Sequence, residues 1–520
     1  MILERTLHPD EANQAVTAGK LLETGKYFYR SHDHHGPTLY YAAAAIQKAG
    51  GNSTFAEMDE GLLRATPLVA ALGTLVLLFL GVRRFAKSFL AAIASFVFLA
   101  TAPIFVFYAT DFIQEMFLAF SLSVMFYAAA RYFTRQDGER LKKGSWAIIF
   151  GAGAGLAMAT KETCVLSFAA IAVSSAILCV VSKGGWGKLR SGLRVNDIVL
   201  MAISFFLVTV VFCSSFASDF SGVKRVFLDA PFSYAQRAVG SGASEGAIDH
   251  VHAWWWYFKE LFCPESVYWS RFSTMPFVKA LTRTVSSGWR FTEFPLLLGA
   301  LIPLLFLKRF GEEKSFAKTS YLFSLLYFAV LLLFYSLIPY KTPWCMLSVV
   351  QALALAAAFG IGIVASSASV KKAIRFSVVV FVFAAVLTVH WRGVSFMNKV
   401  PDSTAIPYNY AQASYDVKNL VARIEKEMVP SGETEYAAVV LPSSDTWPIP
   451  WYVRKFSGKV GYWTSWEQFE KTNMPESPKC IVVAESDSDK VRKSFPALKN
   501  EASHAVRPGV FVRFFSREDR

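Results

Sequence analysis

Ten segments of the chain are almost entirely apolar, and the polar residues gather between them. A helix needs about 20 apolar residues to cross the core of a bilayer, and these segments reach or approach that length. The pattern therefore predicts ten membrane-spanning helices. Their expected bounds are 64–84, 88–108, 112–133, 146–160, 163–181, 195–217, 292–307, 319–338, 343–366 and 373–391.

The last part of the chain has a different pattern. Its apolar residues recur with the 3.6-residue period of an amphipathic helix and with the 2-residue period of strands. This alternation predicts a small α/β domain. Its expected elements are a helix near 411–428 and strands near 436–442, 479–484 and 508–515.

These patterns together predict the fold class, an all-α polytopic membrane bundle with a C-terminal extramembrane α/β domain. We expect a loop with juxtamembrane helices at 1–63 and a multi-span transmembrane domain at 64–394, which includes a long loop at 218–291. The C-terminal domain then occupies 395–520. The sequence contains no internal repeat of the kind that builds many transporters.

The composition agrees with a membrane protein, since 54% of the residues are hydrophobic and 18% are charged, against about 25% charged residues in soluble domains. The net charge of +14 could indicate nucleic-acid binding, but the basic residues gather in short links between apolar segments. When the spans are threaded in order, these links fall on one side, which the positive-inside rule makes cytoplasmic. Nucleic acid is not an expected partner, whereas membrane lipid is. The links contain Arg83, Arg84 and Lys87; Arg131, Arg135, Arg140, Lys142 and Lys143; Lys183, Lys188, Arg190 and Arg194; Lys308, Arg309, Lys314 and Lys318; and Lys371, Lys372 and Arg375.

This orientation predicts an integral protein of the cell (inner) membrane, with its N-terminal loop and its C-terminal domain on the extracytoplasmic side. No signal peptide or span precedes residues 1–63, although a segment on that side must have crossed the membrane. We therefore expect that Met1 is a misassigned start and that one upstream span is missing.

The six cysteines do not predict a disulfide framework or a zinc site. Four of them lie in or beside apolar segments, where a thiol behaves as a small apolar group. Cys263 and Cys480 lie in polar regions and could pair, but one pair is not a framework. The CxxC spacing that favours a zinc–thiolate site does not occur.

Charged residues gather at the extracytoplasmic ends of the spans, where a charge is costly and indicates function by default. Together they predict a water-filled cavity, in which carboxylates suit a general base and Lys or Arg suits an anionic phosphate. The acids are Asp10, Glu11, Asp111, Glu115 and Glu162, and the bases are Arg64, Lys161 and Lys341.

The acids also have structural interpretations. Asp10 could be the N-cap of a helix at 11–24. Asp111 could cap its own span in the same way. Glu115 lies one turn deeper, and at the i, i+4 spacing we expect it to share one helix face with Asp111.

The bases and the aromatic residues have alternatives too. Lys161 and Glu162 could form a plain interfacial turn, and Lys341 could extend its ammonium group to the interface. The stretch 254–257, with three tryptophans and a tyrosine, is typical of an aromatic belt at the membrane interface, although stacking on a sugar remains open.

A cluster of polar residues precedes Gly36-Pro37. Its members are His32, Asp33, His34 and His35. Histidine and carboxylate ligands could hold a divalent metal, and a solvated polar loop explains the same residues equally well. Both interpretations stay open.

The arrangement of these motifs resembles the GT-C glycosyltransferases, the clan of protein O-mannosyltransferases and lipid A aminoarabinose transferases. Within that clan it looks most similar to the family of flippase-activity-associated membrane proteins. The resemblance covers nearly the whole chain and is carried by His8-Pro9-Asp10-Glu11, His35-Gly36-Pro37, Arg64, Phe112-Ile113-Gln114-Glu115, Ala159-Thr160-Lys161-Glu162-Thr163, Pro339-Tyr340-Lys341-Thr342-Pro343-Trp344 and Trp447-Pro448-Ile449-Pro450-Trp451-Tyr452.

The resemblance implies roles for the charged residues. In that clan an acid of the first outer loop is the base that deprotonates an acceptor hydroxyl, which implies Asp10, with Glu11 beside it. The second essential acid would be Asp111 or Glu115. Basic residues hold the phosphate of the lipid donor, and the candidates are Arg64, Lys161 and Lys341. His35 stands where aminoarabinose transferases often have lysine.

The implied function is transfer of a sugar from a polyprenyl-phosphate-linked donor to an acceptor (a protein, a lipid or a glycan) at the outer face of the membrane. Inversion by a single displacement would need a base and charge stabilisation but no strong general acid. The alternative is a lipid-linked-sugar flippase or a flippase-associated membrane protein, without catalysis. Carboxylates in pairs favour chemistry, since moving a neutral sugar needs no base.

Overall fold

The computed structural model of this protein describes most of its 520 residues. The residues it does not describe are 1–4, 30–34, 137, 183–184, 186, 188–191, 232–235, 237–249, 263–289, 310–314, 369, 402, 404, 410, 430–434, 473–476 and 518–520.

The described part forms two compact units. The membrane unit consists of Lys26–Leu39 and Ala65–Lys399, and the terminal unit consists of Met1–Gly25, Tyr40–Arg64 and Val400–Arg520. The N-terminal residues and the C-terminal domain are therefore grouped together. The three-part division expected from the sequence stays a prediction.

Every segment predicted to span the membrane contains a helix. Within the described residues, seven helices are long and apolar enough to cross a membrane. The helices of these segments are Glu60–Ala86, Phe89–Thr101, Pro103–Tyr108, Glu115–Phe133, Lys143–Met158, Cys164–Val181, Val195–Cys213, Phe294–Leu301, Ser315–Leu337, Met346–Ser366 and Lys372–Lys399.

Two predicted spans are interrupted. The span predicted at 88–108 breaks before Pro103, where Ala102 leaves the helical region (φ −59°, ψ 124°), because the proline ring disfavours helical geometry in the residue that precedes it. The span predicted at 292–307 is α-helical only to Leu301. It continues as the 3-10 helix Ile302–Arg309.

The helix Met346–Ser366 lies at the centre of the membrane unit. All of its residues from Met346 to Val364 are buried, as expected for a helix that is apolar on every side. The Gln351 amide donates to the carbonyl oxygen of Ala119 (3.1 Å) and to Ser123 Oγ (2.7 Å), which ties this helix to Glu115–Phe133. In contrast, Val195–Cys213 has several exposed apolar side chains, among them Ile203 and Leu207, as a lipid-facing helix does.

The C-terminal part of the terminal unit contains a five-stranded mixed sheet, in the order β2-β1-β3-β5-β4. The strands β1, β2 and β3 run parallel, and β5 pairs antiparallel with β3 and β4. The predicted fold class is therefore confirmed. The strands are β1 Ala437–Val440, β2 Val460–Trp463, β3 Cys480–Ala484, β4 Asn500–Arg507 and β5 Val510–Ser516.

The sheet has an apolar core on each face. On β1, Ala437 and Val439 face the core that the helix Asp416–Met428 covers. The residues between them, Ala438 and Val440, face a second core that contains Trp466 and Phe469. Alternation of side chains along a strand explains why this short apolar run is buried throughout.

Some elements differ from the prediction. The amphipathic helix begins at Asp416 rather than near 411, and the strands β2 and β4 were not predicted. Cys480 is a buried free thiol on β3, and its suggested partner Cys263 lies outside the described residues. The remaining helices are Pro9–Thr24, Thr38–Ala49, Ser221–Lys224, the π-helix Arg225–Asp229, Trp256–Phe262, the 3-10 helix Pro343–Cys345, Ser443–Thr446, Ile449–Tyr452, the 3-10 helix Arg454–Lys459, Trp466–Lys471, the 3-10 helix Glu485–Asp487 and Ser488–Ser494.

Candidate active site

Asp10 and Glu11 lie in the first turn of the helix Pro9–Thr24. The N-cap is His8, whose Nδ1 accepts from the Asp10 amide (3.1 Å). The Glu11 Oε2 atom accepts in return from the His8 amide (2.9 Å), which completes a capping box. The alternative in which Asp10 is the N-cap is therefore wrong.

Glu11 is fully buried between two arginines. Its Oε2 atom lies 3.3 Å from Arg5 Nη2 and 3.6 Å from Arg64 Nη2. Arg64 also contacts Glu60 (3.5 Å) and donates to the carbonyl oxygen of Arg5 (3.0 Å). Two cations and two carboxylates thus balance each other, as buried charges must.

Asp10 has a different environment from its neighbour. The Asp10 side chain is 48% exposed, whereas the Glu11 side chain is 0% exposed. The Asp10 Oδ2 atom lies 3.8 Å from His8 Nδ1. Of this acidic pair, Asp10 is thus the carboxylate that a solvent-borne molecule can reach.

The predicted pair of Asp111 and Glu115 does not share a helix face. The helix begins at Glu115, and Asp111 lies in the preceding turn, where its carbonyl oxygen accepts from the Ile113 amide (2.8 Å). A turn of this kind breaks the i, i+4 relation that the prediction assumed. Both carboxylates are nevertheless buried, at 4% and 5% exposure.

Lys161 forms a buried ion pair with Glu115. Burial by itself lowers the pKa of Lys161, but the Glu115 carboxylate outweighs it, and the net pKa lies above its ordinary value. The structure thus joins two residues to which the sequence assigned separate roles.

The neighbouring Glu162 has its own partners. Its carboxylate accepts from the Tyr29 hydroxyl and lies 2.8 Å from His35 Nδ1. Burial by itself raises the pKa of Glu162. The interactions with His35 and Tyr29 lower it by more than burial raises it, so the net pKa lies below its ordinary value. Lys161 and Glu162 are therefore more than a plain interfacial turn, since each is paired in the interior.

The segment His35-Gly36-Pro37 lies directly against the turn that carries Lys161. The Gly36 amide donates to the carbonyl oxygen of Thr160 (3.1 Å), and the hydroxyls of Thr38 and Thr160 are 2.7 Å apart. A Cβ atom on Gly36 would lie 2.1 Å from the carbonyl oxygen of Ala159, so only glycine permits this approach. Two motifs that are far apart in sequence thus form one structure.

The metal site suggested by the histidine cluster stays a prediction. His32, Asp33 and His34 lie outside the described residues, and His35 is engaged with Glu162. Among the residues that the structure describes, no group of three or more His, Cys, Asp or Glu side chains could hold a metal ion.

Lys341 is 1% exposed and is held by neutral groups. Its Nζ donates to the carbonyl oxygens of Ile338 and His252 and lies 5.9 Å from the ring centroid of Tyr257. Burial lowers the pKa of Lys341. Within the described part of the chain, no carboxylate forms an ion pair with it, so its charge is not balanced as those of Arg64 and Lys161 are.

The aromatic stretch 254–257 is divided between the surface and the interior. Trp254 and Trp255 are exposed, while Trp256 stacks on His252 with a centroid distance of 4.5 Å. The Tyr257 hydroxyl is buried and donates to the carbonyl oxygen of Thr342 (3.1 Å). Sequence analysis did not connect this stretch with Lys341.

A short antiparallel pairing makes that connection. The Lys341 amide donates to the carbonyl oxygen of His250 (2.8 Å), and the His252 amide donates to that of Pro339 (3.1 Å). Arg5 and Glu60 were missed as well. The i, i+4 spacing of Glu60 and Arg64 in one helix was a signal that could have indicated the second of them.

Comparison with known proteins identifies a family match in the first half of the chain. Residues 23–220 match the family described as Dolichyl-phosphate-mannose-protein mannosyltransferase. No curated protein sequence matches the chain.

Solved structures with a similar fold cover most of the chain. ArnT from Cupriavidus metallidurans, bound to undecaprenyl phosphate, has a TM-score of 0.59 at 14% identity, and the match covers 98% of this chain and 94% of that one. The archaeal oligosaccharyltransferase AglB from Archaeoglobus fulgidus, in complex with an inhibitory peptide and a dolichol-phosphate, has a TM-score of 0.53 at 11% identity, with coverages of 93% and 66%. At these identities the likeness establishes the fold.

Proposed function

Since this chain has the fold of the GT-C glycosyltransferases, we propose that it is a membrane glycosyltransferase, which moves a sugar from a polyprenyl-phosphate-linked donor to an acceptor at the outer face of the membrane. The predicted resemblance to that clan is confirmed by the family match and by the shared fold. The lipid phosphates bound to ArnT and AglB support the class of donor.

The division of tasks between Asp10 and Glu11 is the observation that carries this proposal. The Glu11 carboxylate is engaged in the capping box and in contacts with two arginines, whereas the Asp10 carboxylate is 48% exposed at the same helix start. A general base must reach the proton that it abstracts. Asp10 is therefore the proposed base, and Glu11 the residue that fixes the helix start beside it.

The proposed reaction is a single displacement at the anomeric carbon. Asp10 accepts the proton of the acceptor hydroxyl while the acceptor oxygen forms its bond to the anomeric carbon. The bond from that carbon to the phosphate oxygen breaks, and the lipid phosphate leaves with the electron pair. Charge stabilisation of the phosphate is then sufficient, and no strong acid is needed.

Lys341 is the proposed ligand of the lipid phosphate. A buried ammonium group without a carboxylate partner is costly, and an incoming phosphate would balance it. Arg64 and Lys161 already contact carboxylates, so an anion would have to compete with those contacts. The second essential acid, Asp111 or Glu115, stays a prediction.

The test is sugar transfer in reconstituted proteoliposomes. Purified protein is incubated with radiolabelled polyprenyl-phosphate sugars and a membrane extract as acceptor. We expect label to leave the lipid with the wild type and with Asp489→Asn, a control at an 82% exposed aspartate. With Asp10→Asn, we expect no transfer, although the protein still binds the donor.

The possible outcomes separate the proposals. Full transfer by Asp10→Asn would dismiss Asp10 as the base. Label that stays on the lipid but crosses the bilayer, equally in the wild type and in Asp10→Asn, would replace the transferase with the lipid-linked-sugar flippase.

A further inference from the structure

The residues that lead into the Asp10 helix are held by the C-terminal domain of the same unit. We call residues 5–8 the approach segment. The Leu7 amide donates to the Tyr452 hydroxyl (2.9 Å), and the Gln412 amide donates to the carbonyl oxygen of Thr6 (2.6 Å). The peptide group between Thr6 and Leu7 is thus bonded, through both its carbonyl oxygen and its amide, to side chains that lie more than 400 positions further along the sequence.

Both ends of the approach segment are held as well. The Arg5 carbonyl oxygen accepts from Arg64 (3.0 Å), and the His8 amide donates to Glu11 (2.9 Å). Every residue from 5 to 8 therefore has a backbone hydrogen bond that restricts its movement. Asp10 follows two residues later, so the position of its carboxylate depends on this segment.

The two donor and acceptor groups of the C-terminal domain rest on its core. Tyr452 ends the short helix Ile449–Tyr452, in which Ile449 and Trp451 are fully buried. Gln412 is 3% exposed, and the nearby Ser414 amide donates to the carbonyl oxygen of Val506 on β4 (2.8 Å). A hydrogen bond to a group with a fixed position restrains its partner more than one to a mobile side chain.

Further contacts join this helix, and the 3-10 helix Arg454–Lys459 that follows it, to the loop before Glu60. Arg454 donates to the carbonyl oxygen of Met58 through Nε (3.1 Å) and Nη2 (2.7 Å). The Trp451 ring packs edge-on against Phe55, with centroids 6.1 Å apart. Since Met58 lies two residues before Glu60, the C-terminal domain also restrains the partner of Arg64.

We propose that Tyr452 and Gln412 are positioning residues, which hold the approach segment so that Asp10 can act as the base. The C-terminal domain is then an integral part of the catalytic machinery. The assignment rests on the proposed function, because it is Asp10 as a base that requires a fixed position. A displacement of about 1 Å at a reacting group can reduce the rate about 100-fold.

The first variant is Tyr452→Phe, which keeps the ring and removes the hydroxyl that accepts from Leu7. Without this acceptor the Leu7 amide no longer holds the approach segment in place, so we expect the segment to move and kcat for sugar transfer to fall about tenfold. The donor KM and the thermal unfolding midpoint should stay at their wild-type values. Gln412→Met should have the same effect, whereas the control Tyr462→Phe, on β2 of the same domain, should have none.

A double-mutant cycle separates positioning from a general structural role. If Tyr452 acts through Asp10, its loss should matter less once Asp10 is already misplaced. We therefore expect Tyr452→Phe to lower kcat by a smaller factor in an Asp10→Glu background than in the wild type. An equal factor in both backgrounds, or a parallel loss of kcat and thermal stability, would overturn the proposal.

Hydrogen exchange distinguishes a failure of this proposal from a failure of the proposed function. The amides of the approach segment should exchange faster in Tyr452→Phe than in Tyr462→Phe, whether or not the protein transfers sugar. If the wild type transfers no sugar but exchange is still faster in Tyr452→Phe, the restraint exists without a catalytic purpose. The assignment then fails because the proposed function fails. Unchanged exchange, together with unchanged kcat in an active protein, would overturn it directly.

Discussion

Two turns of the membrane unit each carry a buried lysine, and their surroundings differ. Lys161 forms an ion pair with Glu115, whereas Lys341 donates to two backbone carbonyl oxygens and lies over the ring of Tyr257. Both lysines occur in short motifs at the end of a predicted span. A carboxylate therefore balances the buried charge of Lys161. Among the described residues, no carboxylate balances that of Lys341.

This difference is the basis for proposing Lys341, and not Lys161, as the ligand of the lipid phosphate. A carboxylate partner neutralises Lys161 before any ligand arrives, and an anion would gain little by approaching it. Carbonyl oxygens and an aromatic ring stabilise Lys341 only partly, so an anionic ligand would gain more there. The pKa values of the two lysines show the same contrast. Burial lowers the pKa of Lys341, whereas the Glu115 carboxylate raises that of Lys161 above its ordinary value.

The largest expected effect is on stability, at Lys161. Lys161→Met leaves the Glu115 carboxylate buried without its partner, and breaking a buried pair in this way costs about 3–5 kcal/mol. We expect a marked fall in the thermal unfolding midpoint of the purified protein in detergent. The double variant Lys161→Met with Glu115→Gln carries neither charge and should recover most of the loss. Equal losses in the single and double variants would contradict the pairing argument.

The next effect is on ligand affinity, at Lys341. Lys341→Met removes a charge that no described carboxylate depends on, so the unfolding midpoint should change little. Loss of one charge-assisted contact should raise the Kd for a polyprenyl phosphate about 10- to 100-fold, measured by equilibrium binding of radiolabelled lipid. Lys341→Arg keeps the charge and should lose less affinity. A destabilised protein with unchanged affinity would place Lys341 in the same class as Lys161.

The smallest effect is a pH dependence, at Glu162. Burial raises its pKa, but His35 and Tyr29 lower it below the ordinary value of 4.5. A carboxyl group whose pKa is lowered by folding stabilises the protein above the pKa of the unfolded chain, and this stabilisation is lost as the pH falls below about 4.5. The unfolding midpoints of wild type and Glu162→Gln should therefore differ at pH 7 and converge as the pH falls below about 4.5.

His35→Asn is the matched control for this measurement, since it removes the main group that lowers the pKa of Glu162. In that background, the effect of Glu162→Gln should be smaller and should depend less on pH. A gap between wild type and Glu162→Gln that is the same at pH 7 and at pH 3 would disprove the contribution of ionised Glu162 to stability.

The apolar pattern predicted the membrane helices well, because a bilayer imposes a length and a composition that can be read directly. Its errors occurred where local backbone chemistry intervenes, as at Pro103, or where a helix starts later than the apolar run does, as at Glu115. The strands β2 and β4 were missed because residues that are exposed or half-buried interrupt their apolar pattern. The strands that were predicted, β1, β3 and β5, are the three inner strands of the sheet, and the missed strands are its two edges.

The candidate site could be predicted as a set of residues but not as a set of pairs. Most charges of the site were noticed because charges are costly at span ends, although Arg5 and Glu60 were not. Nothing in the spacing indicates that Lys161 contacts Glu115, which is 46 positions away, or that His35 contacts Glu162, which is 127 positions away. Pairing across such separations depends on how the helices pack.

By itself, the sequence determined the approximate positions of the apolar helices, the presence of an α/β domain at the C-terminus, and the residues that have the chemistry for acid, base and phosphate binding. Only the tertiary structure decided which of those charges are balanced internally. It neutralises Glu11 and leaves the Asp10 carboxylate half exposed, and it connects the approach segment to Tyr452. The physical reason is that composition and period act locally along the chain, whereas burial and the balance of charge depend on neighbours that only folding brings together.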